Sequence, residues 1–219
     1  MNCINFHCHR YKAVNEGVQI ISYSLDELIS ENISENCTVG IHPWQSDSNS
    51  VNEWLKQLEF ITQKPNIIAI GEIGLDRLRG GSLDLQTKVL LSQVEIAKNN
   101  NKPIVIHCVR AWSELIKALS NTQFSSVKKA IHGFRGKAEL AKLLVEQDYY
   151  LSFGSILVDP TPELAESLTN VPLNRLFFET DISEMPIAEV YMAASDILNI
   201  PIETLLQQTE KNFIDFFKI

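Results

Sequence analysis

Short apolar runs, each closed by a polar residue, recur along this chain, and the stretches between them carry helical periodicity. The runs are CINF before His7, TVGI before His42, NIIAI before Gly71-Glu72, IVI before His107, VKKAI before His132, YYLSF before Gly154 and RLFF before Glu179. Between them, Leu83 to Ala97 places Val89, Leu90, Val94 and Ala97 on one helical face. Trp112 to Leu119, Ala138 to Val145 and Pro162 to Leu168 read the same way. Strand alternating with helix is the pattern of parallel β/α units. The run GVQIISYS (17–24) adds a further strand and brings the count to eight. The predicted fold class is therefore α/β, a compact (β/α)8 TIM barrel, treated as a single domain over residues 1–219. Only His9 to Glu16 separate the first two strands, too few for an ordinary crossover helix, so the first one is predicted to be missing or reduced. Ile187 to Leu198 and Ile202 to Phe217 read as two C-terminal helices, with Pro201 in the first turn of the second.

All five histidines, His7, His9, His42, His107 and His132, follow apolar runs, as do Glu72 and Asp181. In a barrel those C-terminal strand ends converge at the face where active sites sit. His7 and His9 alternate with Cys8, so a strand would point both imidazoles one way and the thiol the other. Imidazole and carboxylate together are the ligands that hold Zn²⁺, Mn²⁺ or Fe. A metal site is expected. Arg110, three residues beyond His107, has a planar fork suited to a phosphate oxygen pair.

Charge and cysteine content narrow the partners. The formal net charge is −8, which argues against a protein that coats nucleic acid through its backbone charge. It leaves room for an enzyme that handles a phosphate chain end through metal ions, since those reverse the local field. The four cysteines, Cys3, Cys8, Cys37 and Cys108, form no CxxC pair and are expected to be reduced thiols of a cytoplasmic protein. The opening MNCINF lacks a basic flank followed by a long apolar stretch, and no run approaches the length needed to span a bilayer. Neither a membrane nor an obligate protein partner is expected.

Six ordered motifs carry a family resemblance: NFHCH (5–9), GIHPW (40–44), IGEIGLD (70–76), IVIHCVRAW (104–112), IHGFRG (131–136) and FFETD (177–181). With Gln86 and Gln93 ahead of NKPIVIHC, they resemble the TatD-type metal-dependent hydrolases, the TatD DNases, within the amidohydrolase-like barrels. The resemblance implies two divalent metal ions (Mg, Mn or Zn). The first would be bound by His7, His9 and Asp181, the second by His107 and His132, with Glu72 bridging them. It further implies a metal-activated water as nucleophile, with Asp181 and Glu72 as catalytic carboxylates. A carboxylate has two oxygens and can span a metal pair about 3.5–4 Å apart, which agrees with that assignment. His42 resembles a pocket-lining residue that contacts phosphate or donates a proton to the leaving oxygen. Asp76 and Glu179 would orient ligands rather than bind metal. Trp44 and Phe134 are candidates for stacking on a base.

The chain also departs from the family pattern. Asn5 stands where many relatives have Asp, and Arg10-Tyr11 replaces a Leu-Asp pair. Arg135 replaces a small hydroxyl residue, adding a cation beside His132 that suits an anionic substrate. The segment after FFETD, ISEMPIAEV, is short, which predicts a more open mouth. The expected function is a divalent-metal-dependent phosphodiester hydrolase, a deoxyribonuclease or exonuclease acting on nucleic-acid ends. The alternatives are hydrolysis of a small phosphoester or amide-like substrate, or a non-catalytic metal-binding scaffold.

Overall fold

The computed structural model describes residues 3–9, 17–25, 27 and 35–218. The strands are β1 (Ile4–Cys8), β2 (Val18–Ser24), β3 (Cys37–Gly40), β4 (Ile67–Asp76), β5 (Ile104–Val109), β6 (Lys129–Ile131), β7 (Tyr149–Phe153) and β8 (Leu176–Phe178). The helices are α1 (Val51–Ile61), α2 (Leu83–Asn99), α3 (Trp112–Leu119), α4 (Ala138–Glu146), α5 (Pro162–Thr169), α6 (Ile187–Leu198) and α7 (Ile202–Phe217). The strands follow chain order from β1 to β8 in an eight-stranded sheet, the (β/α)8 barrel topology. The expected gap in the first crossover falls on positions 10–16, outside the described residues. The chain divides into two compact units, one of Met1–Ile21 with Ala130–Ile219 and one of Ser22–Lys129.

In the first unit, β1 pairs in parallel with β2, and β7 with β8. An isolated parallel bridge joins Cys8 to Asp181, just beyond β8. Aromatic packing holds these strands: Phe6 stacks on Phe177 at 4.2 Å between centroids, and Phe216 of α7 meets Phe6 edge-on at 5.7 Å. Each such ring buries a large apolar area, so this cluster anchors the N-terminal strand to the C-terminal helix. Tyr191 of α6 reaches the same strand. Its buried hydroxyl donates to the Ile4 carbonyl at 3.1 Å and accepts the Ile4 N–H at 3.3 Å.

In the second unit, β3, β4 and β5 run parallel. The run read as NIIAI continues as strand to Asp76, and all ten residues of β4 are buried. Glu72 therefore lies inside the strand rather than past its end. Gly74 has φ +151° and packs against His107 so closely that a Cβ there would strike the His107 carbonyl. Only glycine allows β4 to lie that near the residue its neighbour presents. Helix α1, not apparent from periodicity, buries Val51, Leu58 and Ile61, while Trp54 and Leu55 cover Ile41 and Val89. Pro201 proves to be the N-cap of α7, one position ahead of its first helical turn. Among the described residues no helix is long and apolar enough to cross a membrane.

Candidate metal centre

Two clusters of ligand-type side chains form, one in each unit. In the first unit, His7 on β1, His132 just after β6 and Asp181 after β8 each offer a ligand atom within 4.8 Å of the others. His9 joins them: its Nε2 is 3.3 Å from His7 Nε2 and 3.4 Å from Asp181 Oδ1. Thus the two imidazoles of HCH do face one way. Cys8 between them is fully buried and directs its thiol at the Ile20 carbonyl. His7 is buried, whereas His9 and Asp181 are about a third exposed.

The backbone explains the position of Asp181. Its N–H donates to the His7 carbonyl at 3.0 Å, and its φ is +53°, a left-handed conformation that Asp tolerates better than most residues. One step earlier, Thr180 and Asn5 clasp each other. Asn5 Nδ2 donates to Thr180 Oγ1 at 2.8 Å, and Thr180 N–H donates to Asn5 Oδ1 at 3.0 Å. A neutral amide supplies both a donor and an acceptor; an aspartate there would lack the donor. Glu179, fully buried, accepts the Gly133 N–H at 2.8 Å and lies 3.3 Å from His132 Nδ1. With Nδ1–H turned to that carboxylate, His132 Nε2 is left as the ligating nitrogen.

In the second unit, His42, Glu72 and His107 bring ligand atoms within 4.8 Å of one another. His107 sits between two carboxylates, its Nδ1 2.7 Å from Glu72 Oε1 and its Nε2 3.2 Å from Asp76 Oδ2. The tautomer that donates Nε2–H to Asp76 turns the Nδ1 lone pair to the Glu72 oxygen. That is a paired nitrogen–oxygen donor set for a cation. His42 is different. The Trp44 N–H donates to its Nδ1 at 3.2 Å, so the neutral ring carries its proton on Nε2, which faces Glu72 Oε1 at 3.2 Å. His42 therefore presents an N–H where His107 and His132 present a lone pair.

Asp76 is the hub of this unit. Its Oδ2 accepts the Trp44 indole N–H at 2.6 Å, and its Oδ1 accepts the Leu78 N–H at 2.8 Å. Burial opposes its ionisation, but these bonds and the one from His107 outweigh that and hold its carboxyl below the ordinary value. Two glutamines on α2 fix the strand ends that carry the site. Gln86 Oε1 accepts the Asp76 N–H at 2.7 Å, while its Nε2 donates to the carbonyls of Asp76, Arg79 and Gly81 at 2.8–2.9 Å. Gln93 does the same for Ile41, beside His42, accepting its N–H at 2.7 Å and donating to its carbonyl at 3.0 Å. A side-chain amide has the donor and acceptor of a peptide group, so each glutamine acts as a further strand neighbour.

Arg110 and Arg135, the candidate phosphate contacts, are both exposed. Arg110 has φ +51°, and its carbonyl accepts Arg77 Nε at 2.7 Å, while Arg77 also pairs with Glu114. Phe134 is buried and packs edge-on against Phe153, so it lines the core rather than a base site. Sequence reading missed Thr180 and the backbone role of the two glutamines. The available signal was two polar residues, seven apart, on the same helical face as Val89, Leu90, Val94 and Ala97.

Comparisons place these features among known proteins. Residues 12–218 match the sequence model of the family described as TatD related DNase. A Bacillus subtilis relative, "uncharacterized metal-dependent hydrolase YabD", is 31% identical over 159 residues, covering 71% of this chain and 61% of its own length. This chain thus spans about three fifths of YabD. The Escherichia coli metal-dependent hydrolase YcfH, also called uncharacterized, is 26% identical over 212 residues, 88% of this chain and 77% of its own. Among solved structures, the E. coli TatD homologue YjjV superposes with a TM-score of 0.83 at 21% identity, covering 100% of this chain and 98% of that one. A TatD family hydrolase from Entamoeba histolytica gives 0.80 at 16% identity, covering 98% and 97%.

Proposed function

Since this chain belongs to the TatD-related DNase family of metal-dependent hydrolases, we propose that it hydrolyses phosphodiesters at nucleic-acid ends with the aid of two divalent ions, one held by each cluster. The donor sets suit such ions. Nitrogen and carboxylate oxygen atoms converge in both units, and His107 and His132 each have a carboxylate behind the ring to fix the ligating nitrogen. In the first unit the ligands would be His7, His9, His132 and Asp181; in the second, Glu72 and His107. This moves His132 from the second ion, where the family resemblance assigns it, to the first, and gives Glu72 one ion rather than a bridging role. Bound there, divalent ions would lower the pKa of water and neutralise charge on phosphoryl oxygens.

The observation that carries the phosphodiester reading is in the second unit. An imidazole with its proton fixed on Nε2, His42, turns that N–H to Glu72 beside His107, and the exposed Arg110 follows three residues after His107. Arg110 would grip two phosphate oxygens, which its planar fork matches better than a lysine would. His42 Nε2–H would pass its proton to the leaving oxygen as the bond to phosphorus breaks. Asp181, part-exposed in the first unit, is the carboxylate that the family resemblance makes a proton acceptor. Arg135 adds a second cation, beside His132. Hydrolysis of a small phosphoester is the second reading, favoured by the short connection of residues 182–186 between Asp181 and α6.

The test uses 3′-labelled and 5′-labelled single-stranded oligonucleotides with Mg²⁺ or Mn²⁺, and the Asp181→Asn protein as the contamination control. Stepwise release of mononucleotides by the native protein, abolished in the variant, is the expected result. No cleavage with either ion would overturn the nucleic-acid reading and turn attention to small phosphoesters. Metal retained without turnover of any ester would leave a binding scaffold.

A further inference from the structure

We propose that Trp44, overlaid by Arg79, is a stacking platform for a nucleobase of a single-stranded chain. The proposal deepens the phosphodiesterase reading above and rests on it for the class of ligand. Trp44 is 45% exposed, although it lies between a buried proline and a half-buried glutamine in the turn Pro43–Gln45. An indole left half in water beside a polar site is a binding surface that burial has not consumed.

This indole is also fixed. Its Nε1–H donates to Asp76 at 2.6 Å, and its backbone N–H donates to His42 Nδ1. The loop after β4 packs on the same turn: Gly80, at φ +84°, lies so close that a Cβ there would come within 3.0 Å of Trp44 Cα. Ring orientation is therefore set before any ligand arrives, and little entropy is lost on binding. His42 and His107 approach the indole at interplanar angles of 78° and 79°, with centroids 4.6 Å and 6.0 Å away. Neither imidazole lies flat on it. The group that lies over its face is Arg79, whose guanidinium carbon is 4.6 Å from the ring centroid.

The charges beside the ring point to a nucleotide rather than a bare hydrocarbon. Arg77 is paired with Glu114, whereas Arg79 and Arg110 are exposed without an ion-pair partner among the described residues. A planar π-surface flanked by such cations offers a base a face to stack on and its phosphates a counter-charge. A base and its phosphate are one sugar apart. With Trp44 next to His42, a base stacked here would bring its own phosphodiester to the imidazole N–H.

The experiment compares two ligands by calorimetry in Mg²⁺: a single-stranded trinucleotide and an abasic trimer of the same chain, both with hydrolysis-resistant phosphorothioate links. The native protein is expected to bind the base-bearing trimer about tenfold more tightly. Trp44→Leu should erase that preference, and Arg79→Ala should reduce it. Trp44→Phe keeps a flat ring but loses the bond to Asp76, and should retain most of it. Equal affinity for both ligands in the native protein, or a preference surviving in Trp44→Leu, would overturn the proposal. So would loss of the preference in Trp44→Phe as complete as in Trp44→Leu, because the indole would then act by orienting Asp76. Ordinary phosphodiester trimers run in parallel separate the two readings. A base preference without hydrolysis would refute the phosphodiesterase and keep the platform; hydrolysis without a base preference would do the reverse.

Discussion

Replacing Gln86 with leucine should loosen the second unit at the point where β4 delivers Asp76. The side chain is buried, with 1% of its surface exposed, and leucine fills a similar volume, so the cavity contribution is small. What is lost is the amide. The Asp76 N–H, buried and bonded to Gln86 Oε1 at 2.7 Å, would have no acceptor, and the Asp76 carbonyl would lose a donor at 2.9 Å. The carbonyls of Arg79 and Gly81 also lose it, but their loop is open to water, which replaces the bond. An unsatisfied buried peptide group costs about 1–3 kcal/mol, so the change should cost about 2–4 kcal/mol. For a chain of this length that lowers the melting temperature by roughly 4–16 °C. Metal affinity should fall with it, by about 10–100-fold, because Asp76 fixes the His107 ring. Thermal unfolding by circular dichroism and Mn²⁺ titration calorimetry measure the two effects. The exposed Gln63 supplies the control, and Gln63→Leu should be close to neutral. A melting temperature within about 2 °C of native for Gln86→Leu, or an equal fall for Gln63→Leu, would refute the clamp argument.

Three other perturbations test separate parts of the account. Thr180→Val preserves shape but leaves the buried Asn5 amide without its acceptor, and should cost about 1–3 kcal/mol, read as a melting point lower by roughly 2–12 °C. Arg110→Gly should leave the melting temperature unchanged or slightly raised, because glycine accepts φ +51° without strain, while binding of a phosphate analogue weakens. Asp76 has a folded pKa below its unfolded value, so its contribution is present above about pH 4 and is lost as pH falls through the folded pKa. Melting curves of native and Asp76→Asn protein should therefore converge on acidification, and a gap that stays constant to pH 2.5 would contradict the assignment.

Local pattern carried much of the fold because a parallel strand buried on both faces has to be a short apolar run. All eight such runs became strands, and the helical faces at Val89, Leu90, Val94 and Ala97 turned inward as their spacing required. Where the pattern was diluted it misled. Helix α1 hides because Trp54 and Leu55 are only half-buried, and β4 outruns its apolar run because Gly71, Glu72, Gly74 and Asp76 are strand residues with no apolar side chain. The clasp of Asn5 with Thr180 spans 175 positions, and no local spacing announces it.

Residue type and chain order were thus legible in the sequence: imidazoles and carboxylates on or just after successive strands, in an order that marks a family of metal-dependent hydrolases, although Glu72 lies inside β4 rather than at its end. Orientation belongs to the tertiary structure. Which nitrogen of His42, His107 or His132 carries its proton depends on a backbone N–H, on Asp76 and on Glu179, each brought near by packing of other elements. A linear pattern records chemistry and periodicity. The direction of a hydrogen bond is settled only when distant segments meet.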